Sequence, residues 1–468
     1  MISLGKSIWS LGMLKSQTLL ASDRFKAAKK ELLATLLDAS RSIQKVEPAS
    51  SPELREAYAK NLQDFTLNRG RDLYFPYLSS GLGSGPLVEL ADGSVKYDMI
   101  TGIGMNFFGH SHPAFLSEVI DAATADPMQG NLQPGVEAPA LIGLLLSKVG
   151  ATSKLKRGWI TTCGTMANEL ALKIIRQKNA PATKILAFKD CFCGRSTAMQ
   201  EITDNPGYRQ GQPVYGEAHY ISFYDAKDGL EKSLARSLGE MREHLTRFPG
   251  KFAAFMLEIV QGEGGFGSAP REFYIALFEE AKKAGLAIWA DEIQTFGRTG
   301  EYFAFQKFGL TEFIDVATVA KMLHASAVLY SEEYNPKPGL VAGTFSGSTV
   351  ALRTGKKTLE LLESEGFIGP EGKISKLSKR FENNLKAMKL EEVRAVGGMI
   401  AFKPFKGTMD EVKKVLMKLY DLGVVAFYCG HGPYLVRALP PLGAMTDAHV
   451  DDVCKIIGQA LAEVGASP

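Results

Sequence analysis

The chain has 468 residues and a formal net charge of +3, from 54 basic and 51 acidic side chains. That balance removes the electrostatic case for nucleic acid or an anionic membrane as a partner. With 45% hydrophobic and 22% charged residues the composition is that of a globular chain too long for one small core, and no apolar run is long enough for a membrane span.

The five cysteines, Cys163, Cys191, Cys193, Cys429 and Cys454, are odd in number and scattered. They predict a reducing, cytoplasmic setting rather than a disulfide framework. The N-terminal stretch "MISLGKSIWSLGMLKSQTLLASDRFKAAKK" holds no acidic residue before Asp23 and no arginine before Arg24. A transit peptide is one reading, against which stands the late first arginine; the apolar part is too broken for a secretory signal, and the favoured reading is a retained amphipathic helix that packs on a partner subunit.

Residues 25–65, rich in Lys, Glu, Leu and Ala, predict helix. "GLGSGPLVELADGSVKYDMITG" alternates around "ADGS" and predicts a hairpin. Its "GLGSG" meets Pro86 and opens no helix, so it reads as a turn rather than a nucleotide loop. From residue 112 the pattern alternates helix and strand. "GWITT", "KILAF", "FAAFMLEIV", "LAIWA" and "DVATVA" read as strands, and "TMANELALKIIRQ" and "REFYIALFEEAKKAG" as helices. This predicts an α/β fold with a mostly parallel central sheet and ligands at the carboxyl ends of its strands. Beyond 351, a helix, "VRAVGGMIAF", a second helix near 409–422 and "GVVAFYCGHGPYLVRALPP" predict a smaller α+β unit. The expected organisation is an N-terminal helical segment over 1–84 that joins the small domain and dimer contacts, a large domain over 85–350 and a small domain over 351–468.

The run "LAIWADEIQTFG" ends in two carboxylates, Asp291 and Glu292, which alternate to opposite faces of the strand. A carboxylate at the end of a buried strand needs a positive partner. Lys321 closes "DVATVA" in the same way, as an ion-pair partner or as a desolvated amine able to form Schiff bases. "TTCGTMANELAL" places Gly164 and Thr165 at a helix N-terminus, which suits a phosphate or is simply a capped helix start. His110 and His112, and Cys191 and Cys193, have two-residue spacings that are not a usual zinc pattern, and no metal is expected. A phosphate cradle, a buried carboxylate and a buried lysine together match the needs of pyridoxal 5′-phosphate, whose ring nitrogen the carboxylate would keep protonated.

From about 85 to 445 the sequence resembles the class III aminotransferases of the fold type I pyridoxal-phosphate enzymes, the ornithine, 4-aminobutyrate and lysine type. The likeness rests on "GIGMNFFGHSHP", "CGTMANELALK", "FCGR", "LEIVQGEGG", "ADEIQTFGRTG", "AK" at 320–321, "GTFSG" and "VRALPPL", in the family's order. The resemblance implies that Lys321 is the Schiff-base lysine, that Asp291 pairs with the ring nitrogen and Gln294 with the ring hydroxyl, and that Phe192 stacks on the ring. It implies that Gly164 and Thr165 bind phosphate and that Thr344 reaches the phosphate held by the neighbouring subunit, hence a homodimer with shared active sites. Arg437 would take the α-carboxylate, Glu263 would pair with Arg437 and mask it, and Arg195 would hold a substrate carboxylate. Glu292 would serve local structure.

The implied reaction moves an amino group, from a terminal position, to 2-oxoglutarate by a ping-pong route. The rival readings are an aminomutase, racemase or decarboxylase on the same scaffold, and a non-catalytic binding protein. The sequence departs from the family pattern at Cys193, where histidine is usual, at Met166, where glutamate is usual, in a glycine missing from "DEIQTFGRTG", and in "KMLHAS", where a glycine-rich run is usual. Those departures fall on loops that carry specificity.

Overall fold

A computed structural model describes residues 13–466. The amphipathic helix expected for the first residues lies partly outside them; from residue 15 the chain forms helices Lys15–Ala21, Asp23–Arg41 and Pro52–Arg69. Ser22 and Ser51 accept from backbone N–H groups at the starts of the second and third, and Gly70, at φ 82°, ends the third.

The larger sheet has seven strands. Across it run Leu155–Thr161, Ser326–Ser331, Val316–Val319, Ala287–Asp291, Phe252–Leu257, Lys184–Phe188 and Ala218–Ile221. Ser326–Ser331 runs antiparallel to both its neighbours; the other pairs are parallel. All of Ala287–Asp291 and Phe252–Leu257 is buried, because helices cover both faces. Helix Gly164–Lys178 turns Ala167, Leu170, Ala171, Ile174 and Ile175 inward, and helix Arg271–Lys283 buries Phe273, Tyr274, Leu277 and Phe278. The strand and helix readings hold here. Two strands escaped them, Ala218–Ile221 and Ser326–Ser331.

Because the strands are mostly parallel, their carboxyl ends share one edge of the sheet. Thr161, Phe188, Leu257, Asp291 and Val319 all stop there, and Ser326 starts there.

The C-terminal part carries an antiparallel sheet in the order Glu391–Val396, Met399–Lys403, Leu435–Ala438, Phe427–Cys429. Helices Lys373–Ala387, Met409–Asp421 and Asp447–Gly465 belong to the same part. A further sheet joins distant segments: Ser79–Ser84, Leu87–Leu90 and Val95–Asp98 form antiparallel neighbours, and Val424–Val425 adds in parallel to the last. "GLGSG" is thus mostly strand, with its turn at Gly85–Pro86. The division at residue 85 falls inside this sheet, and the one at 350 falls in the first turn of helix Thr349–Ser364. No helix among the described residues is long and apolar enough to cross a membrane.

Candidate active site

The strand ends enclose a cavity of about 300 Å³, lined among others by Gly164, Thr165, Phe192, Glu263, Asp291, Gln294 and Lys321. They arrive from the carboxyl ends of five strands: Gly164 and Thr165 after Thr161, Phe192 after Phe188, Glu263 after Leu257, Asp291 and Gln294 at and after the end of Ala287–Asp291, and Lys321 after Val319. Alternation along Ala287–Asp291 aims Asp291 into the cavity and Glu292 away from it. Glu292 accepts N–H groups of Ala304 and Phe305, each at 2.9 Å, and the Thr295 hydroxyl, so it ties down the following turn.

Asp291 is buried and has no ion-pair partner at hydrogen-bond distance among the described residues. Asn168 Nδ2 donates to its Oδ2 at 2.7 Å and Ile293 N–H to its Oδ1 at 3.0 Å. Burial pushes its carboxyl up to about 6, against these donors and the nearby Lys321. Lys321 opens a short 3-10 turn at φ 48°. Burial lowers its pKa, and Asp291 partly opposes that.

Helix Gly164–Lys178 begins at the cavity, so its first unpaired N–H groups face it. A side chain at Gly194 would sit 2.7 Å from Thr165 Oγ1, one at Gly262 within 2.8 Å of the Gln294 amide, and one at Gly164 2.9 Å from Ile293. These glycines keep the walls apart by having no Cβ. Gln294 Oε1 is buried without a partner among the described residues. The Phe192 N–H is held by Glu258 Oε1 at 2.9 Å, and its ring meets Tyr208 edge-on at 5.8 Å.

Arg437 stands behind Glu263 rather than in the lining. Its Nη2 lies 2.9 Å from Glu263 Oε1, with the arginine side chain 1% and the glutamate 17% exposed. Nη1 donates to the Gly262 carbonyl at 3.2 Å, and Nε has no partner among the described residues. Arg195 is exposed at the rim, its guanidinium 3.9 Å from the centre of the Tyr208 ring. Thr344 is exposed and lies outside the lining of its own chain's cavity, so the structure does not bring it to the other residues. His110 pairs with Asp98 at 3.0 Å and His112 caps helix Pro113–Ala122, while Cys191 and Cys193 are buried thiols. Among the described residues no group of three or more potential ligands could hold a metal ion.

Three lining or supporting residues were not singled out by the sequence. Glu258 accepts from Phe192 and from Gly262, each at 2.9 Å, and burial, reinforced by Asp291, pushes its carboxyl up to about 8. Asn168 joins Asp291 to the Cys193 carbonyl, 2.7 Å from each. His324 lines the cavity within "KMLHAS".

The sequence profile described as "Aminotransferase class-III" matches residues 76–461. The chain belongs to the class III aminotransferases. It is similar to the acetylornithine aminotransferase of Bacillus subtilis (strain 168), 31% identical over 392 residues that span 82% of this chain and 94% of that one. The diaminobutyrate–2-oxoglutarate aminotransferase of Rhizobium meliloti is 28% identical over 426 residues, covering 82% and 87%. Two solved structures share the fold: a lysine aminotransferase from M. tuberculosis, with TM-score 0.73, 23% identity and coverage of 81% and 93%, and an omega-transferase from Vibrio fluvialis, with TM-score 0.74, 21% identity and coverage of 83% and 99%.

This class III aminotransferase depends on pyridoxal phosphate, and the cavity fits that group. It offers a buried carboxylate without a cation, an unpartnered amide oxygen, a glycine-walled helix start and a desolvated lysine.

Proposed function

We propose that this aminotransferase takes a terminal amino group from an amino acid and passes it to 2-oxoglutarate in a ping-pong cycle. The observation that carries this reading is the Glu263–Arg437 pair at the cavity wall. Paired, the arginine is masked and the wall admits an uncharged carbon chain ending in an amine. Opened, it presents a guanidinium to the α-carboxylate of 2-oxoglutarate or glutamate.

Pyridoxal phosphate supplies an electrophilic carbon for the amine and an electron-withdrawing ring. The protein supplies the rest. Gly164 and Thr165 would hold the phosphate, Phe192 one ring face and Gln294 the ring hydroxyl. Asp291 would keep a proton on the ring nitrogen, and Asn168 holds that carboxylate in place. Lys321 Nζ, its pKa lowered by burial, would take the proton from the donor's amine-bearing carbon and return it to the cofactor's carbon. Arg195, braced on Tyr208, would hold the far carboxylate of the donor. Thr344, exposed in one chain, would serve the phosphate of a second copy.

A donor screen against the loaded enzyme, followed spectrally, tests the reading. ω-Amino and diamino acids should convert the cofactor to its aminated form, and 2-oxoglutarate should restore it. Conversion only by α-amines, or no recovery with 2-oxoglutarate, would overturn it.

A further inference from the structure

Three carboxyl groups line the cavity, those of Glu258, Glu263 and Asp291, against one lysine, Lys321, and of the three Glu258, with its carboxyl at about 8, is largely protonated at neutral pH. A phosphate adds about two negative charges. Among the described lining residues, only His324 remains able to become a cation.

Its position is specific. Ser326 pairs with Thr161 where their two strands end, and His324 and Cys163 each lie two residues beyond that pair. Both line the cavity, next to the start of helix Gly164–Lys178. His324 holds a left-handed backbone, φ 61°, which glycine adopts without strain. A side chain retained at such a point in a site is a reason to ask what it does.

Its Nε2 lies 3.3 Å from the Met105 carbonyl, which only accepts, so Nε2 carries the hydrogen. Nδ1 is then the free nitrogen, with no protein partner among the described residues. The ring sits 4.9 Å from Phe115, whose further ring neighbours are His112 at 5.3 Å and Phe108 at 5.5 Å. Around it, Met105 and Phe115 are uncharged, Gly355 of helix Thr349–Ser364 backs the turn, Cys163 lies across the strand ends, and Lys321 is on its own turn. Burial lowers the histidine's pKa against the Met105 carbonyl and so favours the neutral ring before a ligand arrives.

We propose that His324 is a phosphate-recognition residue: it takes a proton from solvent when the cofactor's phosphate enters, and pairs with it as an imidazolium. The proposal rests on the reading of Gly164 and Thr165 as the phosphate cradle.

The test is calorimetric. Pyridoxamine phosphate has no aldehyde to react with Lys321. It is titrated into the full-length protein stripped of cofactor, at about pH 7 and about pH 9, in two buffers of different ionisation enthalpy. The wild type should take up about one proton more at the lower pH than His324→Asn, and should lose about tenfold more affinity across the interval. Asparagine tolerates the left-handed backbone, and His324→Gly provides a second check on folding. Pyridoxamine, which lacks the phosphate, should not distinguish the proteins. Equal proton uptake and parallel pH dependence in wild type and variant overturn the proposal. Thr165→Ala separates the two readings. If it weakens binding while His324→Asn does not, only the histidine's role falls. If neither does, the cradle falls with it.

Discussion

Arg437 and Glu263 meet at 2.9 Å with the arginine almost wholly buried, and the arginine's Nε finds no other partner. Burial alone would lower the guanidinium's pKa, but Glu263, together with Cys429 and Tyr208, more than offsets it and the net direction is upward. The glutamate is the partly exposed member, so it is the one with room to swing away. Glu263→Ala is expected to leave Arg437 free in both half-reactions. Glutamate should become the better first substrate and ω-amines poorer ones. The specificity ratio should shift by about tenfold or more, since losing one member of such a pair is worth about 1–3 kcal/mol. Single-turnover spectra with each donor measure it, and an unchanged ratio would place the choice between donor ends elsewhere.

Lys321→Ala is expected to abolish transamination while the fold and some non-covalently held cofactor remain, because the residues proposed to contact the phosphate and ring come from other loops. Turnover and the visible spectrum after dialysis check this. A rate near that of the wild type would remove Lys321 from the chemistry.

Asp291→Asn substitutes an amide that cannot hold the ring nitrogen protonated. The chemical step should slow by on the order of a hundredfold or more, with much less effect on substrate affinity. Asn168→Ala should show a weaker form of the same defect, because it removes one hydrogen bond to a buried carboxylate, worth about 1.5–3 kcal/mol. Rapid deamination by Asp291→Asn in a single turnover would mean that another group supplies the charge.

Glu258 gives a pH signature. Its folded carboxyl sits at about 8 against an ordinary 4.5, so the folded chain holds this proton more tightly than the unfolded one. Stability from this group is therefore present at low pH and is lost as pH rises from 4.5 towards 8. Asp291, raised from 3.8 to about 6, adds a loss of the same sign over its own range. In cofactor-free protein, the melting temperature of the wild type should fall relative to Glu258→Gln between about pH 5 and pH 8. Melting curves that keep a constant separation would show that Glu258 is not the source.

Asp291 and Lys321 were legible because each is a charge that ends an unbroken apolar run. Glu258 obeys the same rule but was hidden, since Ile259 and Val260 continue the run past it and the strand's true end at Leu257 left no mark. Asn168 was hidden in a helix whose inward positions are otherwise apolar. The strand Ser326–Ser331 follows the irregular "KMLHA" turn directly, with no loop to announce it. The Val95–Asp98 and Val424–Val425 pairing joins segments too far apart for any local pattern to connect. Thr344 was named from resemblance alone; in one chain nothing draws it to the cavity.

That distant pairing also orders events during synthesis. The hairpin at 87–98 leaves the ribosome early, yet its outer edge waits for residues 424–425. Tyr97 N–H reaches the Gly423 carbonyl at 2.8 Å, Met99 N–H the Val425 carbonyl at 2.9 Å and Lys96 Nζ the Tyr420 carbonyl at 2.9 Å. Every strand of the seven-stranded sheet is translated in between. A nascent chain therefore carries an open strand edge, a template for pairing with other chains, until residues 424–425 are made. A message truncated just short of residue 424 would yield a polypeptide with the seven cofactor-side strands present and a sticky, unfinished hairpin.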